Sequence, residues 1–313
     1  MKSKDFISIA DIFQSDIEKI FQVTRKLKEE FRNGLNEPSL KGKTLGMIFE
    51  KSSMRTRVSF EVAMVQLGGY AIYLNQQDFT IGKREAIKDV AKVLSRYVDG
   101  IAIRTFGHDT VQELAGHATI PVINALSDYL HPCQALSDLY TIRESLGTDT
   151  NLKISFIGDG NNVARSLAQI CAKFRLQFHI ASPLGYELTP DFLADAKQIA
   201  GDEDIIHLYQ DPKEAANKAN VIYTDTWTSM GQEKERERRI KDFQGFQINK
   251  ELLKLSATNV KVMHCLPAHR GEEITDEVID GPHSLVYDQA ENRLHVEKAL
   301  LKLLLCKDDN ENR

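Results

Sequence analysis

The chain has 313 residues, 42% of them hydrophobic and 27% charged, with a formal net charge of −5. That length suits two domains, each with its own core, and the negative balance argues against nucleic acid or an anionic membrane as main partner, since either favours a basic face. No apolar run is long enough to span a bilayer, the N-terminal stretch lacks the apolar core of a signal peptide, and the four cysteines (Cys133, Cys171, Cys265, Cys306) show no metal-like spacing, so a reducing cytoplasm is the expected setting.

Along the chain, short apolar runs alternate with helix-length periodic stretches. Strands are expected at 44–49, 71–74, 101–104, 121–125, 153–157, 178–182, 205–209, 221–224 and 260–265. Amphipathic stretches such as 85–97 and 163–174 lie between them, and a strong amphipathic helix is expected over 290–305. This alternation predicts parallel sheets with crossover helices. Nine strands are many for one open sheet, so the expected class is α/β, with two doubly wound parallel-sheet domains and the active site in the cleft between them. Residues 1–132 would form the first domain and 133–289 the second. Helix 290–305 would pack back on the first, and 306–313 would be a disordered tail.

Ligands of parallel sheets gather at the carboxyl ends of strands, and polar motifs fall there. After the first strand, "EKSSMRTRVSFE" (50–61) places Ser53, Arg55, Thr56 and Arg57 at a strand-to-helix turn. Helical spacing of Val58, Val62 and Val65 marks the helix, and Gly68-Gly69 stops it. Unpaired backbone N–H groups, hydroxyls and guanidiniums at such a turn suit a doubly charged oxyanion such as phosphate. The plainer reading is a capped helix with solvated arginines.

Arg104 closes the third strand and could add charge to that pocket. His131-Pro132-Cys133-Gln134 opens a helix, with proline suited to its first position, and His131 with Gln134 can address a carbonyl oxygen and an amide NH₂ together. "IGDGNNVARS" has Gly158 and Gly160 after a strand, but no third glycine on time and no acidic residue ending the next strand, so a dinucleotide site is poorly supported. Asn161 and Asn162 instead suit an amino-acid carboxylate. In "TDTWTSMGQE", Asp225 could hold an ammonium and the loop through Ser229 and Met230 a carboxylate; the plainer reading is a turn over Trp227. The charge run 233–242 reads as the solvated face of a mobile loop. Cys265 follows the last strand, where it could face a substrate, although nothing marks it as a nucleophile.

Together, Ser53-Met-Arg-Thr-Arg57, His131-Pro-Cys-Gln134, Asp225-x-Trp-x-Ser-Met-Gly231 and His264-Cys-Leu-Pro267 resemble the aspartate/ornithine carbamoyltransferase family over essentially the whole chain. The last two motifs look like its ornithine branch. Met54 departs from the threonine more usual there, at a position that offers its backbone N–H. The resemblance implies transfer of the carbamoyl group of carbamoyl phosphate to the δ-amine of L-ornithine, giving citrulline and phosphate, within arginine metabolism. It implies phosphate on Ser53, Met54, Arg55, Thr56 and Arg104. The carbonyl oxygen would lie on Thr56, Arg104 and His131, and the carbamoyl NH₂ on Gln134 and the Leu266 carbonyl. Ornithine would fall to Asn162, Asp225, Ser229 and Met230, with Cys265 and Arg293 bordering the reacting centre. Arg55, Arg104, His131 and Cys265 are the expected catalytic set. No metal or cofactor is implied, and a homotrimer is. Two alternatives stand beside this: a putrescine carbamoyltransferase and a nicotinamide-dependent oxidoreductase.

Overall fold

The computed structural model describes residues 3–75, 81–82, 85–147, 150–201, 203–229 and 231–306. The chain divides into two compact units, Met1–Leu136 with Asn292–Arg313, and Ser137–Glu291. Each is built on its own all-parallel sheet.

In the first unit, α1 (Gln14–Arg32) precedes β1 (Thr44–Phe49), α2 (Met54–Gln66), β2 (Tyr70–Asn75), α3 (Ile87–Tyr97), β3 (Gly100–Arg104), α4 (His108–His117) and β4 (Val122–Leu126). The strand order is β2-β1-β3-β4. The inner strands β1 and β3 are almost wholly buried, as expected where helices cover both faces and no side of the strand alternates with water. Their core gathers Ile48, Ile101 and Ile103 against Val90 of α3 and Val111 and Leu114 of α4. Truncating any of these isoleucines to alanine would cost about 2–5 kcal/mol.

Helix α5 (Pro132–Leu146) leads into the second unit. There follow β5 (Lys153–Ile157), α6 (Asn162–Phe174), β6 (Gln177–Ala181), α7 (Pro190–Ile199), β7 (Ile206–Tyr209), α8 (Pro212–Ala216), β8 (Val221–Thr224), α9 (Arg236–Asp242), α10 (Lys250–Leu253), β9 (Lys261–His264), α11 (Asp276–Ile279) and α12 (Val286–Leu305). The order β7-β6-β5-β8-β9 reverses direction at β5, the doubly wound pattern. Proline starts α7 and α8, where its missing N–H costs nothing. Tyr223 stacks on Phe156 within this sheet, ring centroids 5.5 Å apart.

Three details differ from the sequence expectation. Helix α2 buries Thr56, Phe60, Ala63 and Met64, while Val58 and Val65 of the supposed inner stripe are exposed; the helix is apolar on both sides, so periodicity finds it without choosing its face. The run 233–242 forms a short 3₁₀ turn and α9 and is mostly solvated as expected, but Arg239 is buried. Cys306, assigned to the tail, closes α12 through its N–H to the Lys302 carbonyl and its thiol to the Ser39 carbonyl at 3.2 Å. Residues 307–313 lie outside the described residues.

Candidate active site

The first cluster stands at the carboxyl ends of β1 and β3 and the start of α5, all within the first unit. Ser53 caps α2 from extended backbone, its Oγ accepting the Thr56 N–H at 3.3 Å. No acidic residue occupies the first turn of α2, so its positive end is not neutralised from within the helix. Ser53 Oγ and Thr56 Oγ1 lie 3.1 Å apart, and Arg104, buried at the end of β3, donates to Thr56 Oγ1 at 3.4 Å. Parallel register places Arg104 beside Phe49, the last residue of β1, and so beside this turn.

The two arginines of the turn have separate fates. Arg57 donates to Glu61 at 2.9 Å and lies over the Tyr73 ring at 3.8 Å, on the surface. Arg55 and Met54 begin the helix, with the Met54 side chain exposed, which leaves its backbone N–H as the useful group.

His131 is buried immediately before Pro132. Burial, then the charges of Arg293 and Arg104, holds its imidazole well below the usual histidine range, so near neutrality it is an uncharged N–H donor. Gln134, one turn into α5, accepts from Arg293 NH1 at 2.7 Å. The same guanidinium donates through Nε and NH2 to Glu297 Oε1 at 3.0 and 2.6 Å. Glu297 is fully buried, and burial raises its carboxyl above the ordinary range against the pull of Arg293. Glu297 lies four residues after Arg293 on one helix, a spacing that marks the pair in the sequence.

The second cluster lies at the carboxyl ends of β5, β8 and β9, within the second unit. Asp225 follows β8 and is buried. Its Oδ2 accepts from Asn161 Nδ2 at 2.8 Å, while Oδ1 accepts the Thr226 N–H at 2.8 Å and the Cys265 thiol at 3.1 Å. Asn161 also caps α6, its Oδ1 accepting from Val163 and Ala164. Asn162 is the first residue of α6. Ser229 donates its N–H to Gln232 at 3.1 Å, and Met230 lies outside the described residues. Leu266, next to Cys265, adopts φ +57° and gives its N–H to His264 Nδ1 at 2.8 Å.

A residue that the sequence leaves unmarked is Arg239. Its NH1 donates to Asp159 at 2.7 Å and to the Trp227 carbonyl at 3.0 Å, and its Nε to Glu235 at 3.1 Å. It thereby ties α9 to both the glycine turn after β5 and the loop after β8. Nothing local marks one arginine of a charge run as buried.

The glycines of "GDGNN" have packing reasons. Gly158 sits at φ +150°, and a Cβ on Gly160 would meet the Glu187 backbone at 2.7 Å. Among the described residues, two groups carry closely spaced potential metal ligands, Asp225–His264–Cys265 and His269–Glu272–Glu273. Both ring nitrogens of His264 are hydrogen-bonded, to Leu266 and Glu273, and His269 Nδ1 is engaged with Thr226 Oγ1. Neither group therefore offers three uncommitted donors.

Two parallel-sheet units carrying these clusters define a two-domain α/β architecture, and comparison with known proteins gives the class. Residues 4–144 match the carbamoyl-P binding domain and residues 150–304 the Asp/Orn binding domain of aspartate/ornithine carbamoyltransferase. The chain belongs to the aspartate/ornithine carbamoyltransferase family.

Members named for ornithine are among the chain's relatives. It is 52% identical over 304 residues to an ornithine carbamoyltransferase of Syntrophus aciditrophicus, covering 96% of this chain and 99% of that one. The solved ornithine carbamoyltransferase from Pyrococcus furiosus matches with a TM-score of 0.93 at 50% identity, over 96% of each chain. An anabolic ornithine carbamoyltransferase from Campylobacter jejuni matches with a TM-score of 0.90 at 38% identity, over 96% of this chain and 99% of that one.

Proposed function

We propose that the protein transfers the carbamoyl group of carbamoyl phosphate to the δ-amine of L-ornithine, releasing L-citrulline and phosphate. The observation that carries the ornithine reading is the Asp225 carboxylate, buried, aimed by Asn161 and Thr226, and bordered by the Cys265 thiol. It is a ready receptor for an α-ammonium. Ser229, Met230 and Asn162 supply the carboxylate contacts.

Carbamoyl phosphate docks its phosphate on Ser53, the Met54 N–H, Arg55, Thr56 and Arg104, where an open helix N-terminus and guanidiniums favour a dianion. Thr56, Arg104 and neutral His131 hydrogen-bond its carbonyl oxygen. Gln134, held by Arg293, and the Leu266 carbonyl hold its NH₂. The neutral δ-amine attacks the carbonyl carbon, so an N–C bond forms and the carbonyl π pair moves to oxygen. When that pair returns, the C–O bond to phosphate breaks and phosphate leaves with the electrons. The phosphate takes the proton lost by the amine. The residues act by orientation and by stabilising the developing oxyanion, with Arg55, Arg104, His131 and Cys265 nearest the reacting atoms.

Putrescine lacks the α-amino-acid head that Asp225 and the 229–230 segment provide for. A nicotinamide site lacks support, since Gly160 is explained by its contact with Glu187. We further infer a homotrimer. Met54, Val58 and Val65 form an exposed apolar stripe on α2, next in sequence to the edge strand β2 with exposed Tyr70 and Ile72, a surface suited to a second copy. Among the described residues no helix is long and apolar enough to cross a membrane, and the four cysteines are free; both fit a cytoplasmic enzyme.

The test is a citrulline assay with a panel of amines. Ornithine should give citrulline and phosphate in equal amounts, and Arg55→Ala should lower kcat/KM for carbamoyl phosphate by at least about 10²-fold. Product from putrescine but not ornithine would reassign the substrate.

A further inference from the structure

The turn after β9 is fastened by two buried groups that neither substrate is assigned to touch. Leu266 has φ +57°, a left-handed conformation that costs a branched residue about 1–2 kcal/mol and persists only where its surroundings impose it. The imposing contact is visible: the Leu266 N–H donates to Nδ1 of His264, two residues back, at 2.8 Å. A backbone N–H can only donate, so Nδ1 is the unprotonated nitrogen of that ring and Nε2 carries the hydrogen. Nε2 faces Glu273 Oε1 at 3.1 Å, and His264 and Glu273 are both fully buried.

The same Glu273 oxygen accepts the backbone N–H of His269 at 2.5 Å. The His269 ring then reaches Thr226 Oγ1 at 2.9 Å. Thr226 gives its only hydroxyl hydrogen to the Thr228 carbonyl at 3.1 Å, so His269 Nδ1 is the donor in that pair. Thr226 is also the residue whose N–H holds Asp225. One buried carboxylate thus braces two loops: that of Cys265 and Leu266 through His264, and that of Asp225 through His269.

We propose that Glu273 and His264 are positioning residues for carbamoyl transfer, fixing the Cys265–Leu266 turn so that the Leu266 carbonyl meets the carbamoyl NH₂. This rests on the transferase reading above. The pair needs no contact with substrate, because its action is transmitted through the Leu266 N–H. Asparagine at 264 can place an oxygen where Nδ1 accepts, while alanine leaves the Leu266 N–H unanswered.

The experiment compares wild type, His264→Ala and His264→Asn in steady-state citrulline formation and thermal melting, with ¹⁵N NMR of imidazole-labelled wild type. His264→Ala should lose kcat by about 10²-fold, the cost of a small misplacement near the reacting centre. Its KM for carbamoyl phosphate should stay within about threefold, because the phosphate contacts lie on other elements. His264→Asn should recover most of kcat, and the wild-type spectrum should show His264 protonated on Nε2 alone. Equal loss of kcat in both variants at equal melting temperature, or an Nδ1-protonated His264, overturns the proposal. If His264→Ala does not fold, the spectrum decides by itself. A wild type that makes no citrulline would sink the transferase reading instead and leave the spectrum unchanged.

Discussion

Arg293 NH1 donates to Gln134 Oε1 at 2.7 Å, joining two residues 159 positions apart in the chain. The guanidinium spends its other edge on Glu297, so its plane is fixed and the Gln134 amide with it. Arg293→Lys keeps a charge for Glu297, but an ammonium cannot span both partners. Turnover should fall about 10²-fold with little loss of melting temperature. Arg293→Met instead strands a fully buried carboxylate and should cost about 3–5 kcal/mol in urea unfolding. Equal stability of the two variants would mean that Glu297 does not depend on the charge.

The thiol of Cys265 donates to Asp225 Oδ1 at 3.1 Å. Cys265→Ala removes one hydrogen bond to a carboxylate, an interaction worth about 1.5–3 kcal/mol. The KM for ornithine should therefore rise about tenfold or more, while that for carbamoyl phosphate moves little. Cys265→Ser retains a donor and should recover most of the difference. Steady-state kinetics with each substrate varied in turn checks this.

Much of this architecture was legible because parallel strands are buried on both faces and stand out as apolar runs. The first, fifth and eighth strands begin and end where expected, and the others shift by a residue or so. Helix α1 also carries a legible pattern: Ile17, Ile20, Phe21, Thr24 and Leu27 are buried at helical spacing. The inner face of α2 was not, because valines and Phe60, Ala63 and Met64 occupy opposite sides and only tertiary packing chooses between them. For the candidate site, motif spacing in the sequence supplied the residues that the structure places at the carboxyl ends of the strands. It named Asn161 for a carboxylate, where the structure engages it with Asp225 and the start of α6, and did not find the supports Glu297, Arg239 and Glu273, because such partners meet only after folding.

Arg239 supplies one such support that can be measured. Asp159 is mostly buried, and burial raises its carboxyl above the ordinary range while Arg239 pulls it back. Arg239→Met should destabilise the protein by about 3 kcal/mol, chiefly by leaving Asp159 uncompensated. Adding Asp159→Asn should restore a large part of that loss, because the stranded charge is gone. A double-mutant cycle in urea measures the coupling; simple additivity of the two losses would show that the pair does not act as a unit.

The β6–β7 pair of histidines predicts an acid-side loss of stability. His179 is half-buried, with Nδ1 3.0 Å from the Tyr209 hydroxyl and its ring 4.5 Å from that of His207. Burial first, then the charges of Lys153 and His207, push it from 6.5 down to about 4. The folded chain therefore resists a proton that the unfolded chain accepts. Above about pH 6.5 neither state binds it and stability is level; as pH falls from about 6.5 toward about 4, the unfolded state gains protons and stability drops. His179→Asn removes the titrating group. At about pH 5, linkage gives a loss of roughly 2 kcal/mol for a fully sheltered ring, and solvent screening of this half-buried one reduces it to about 1 kcal/mol. Urea unfolding at about pH 7.5 and about pH 5 should show wild type losing that much more than His179→Asn. Equal losses would place the acid sensitivity elsewhere, with buried His131, whose imidazole is held down in the same direction, as the next group to test.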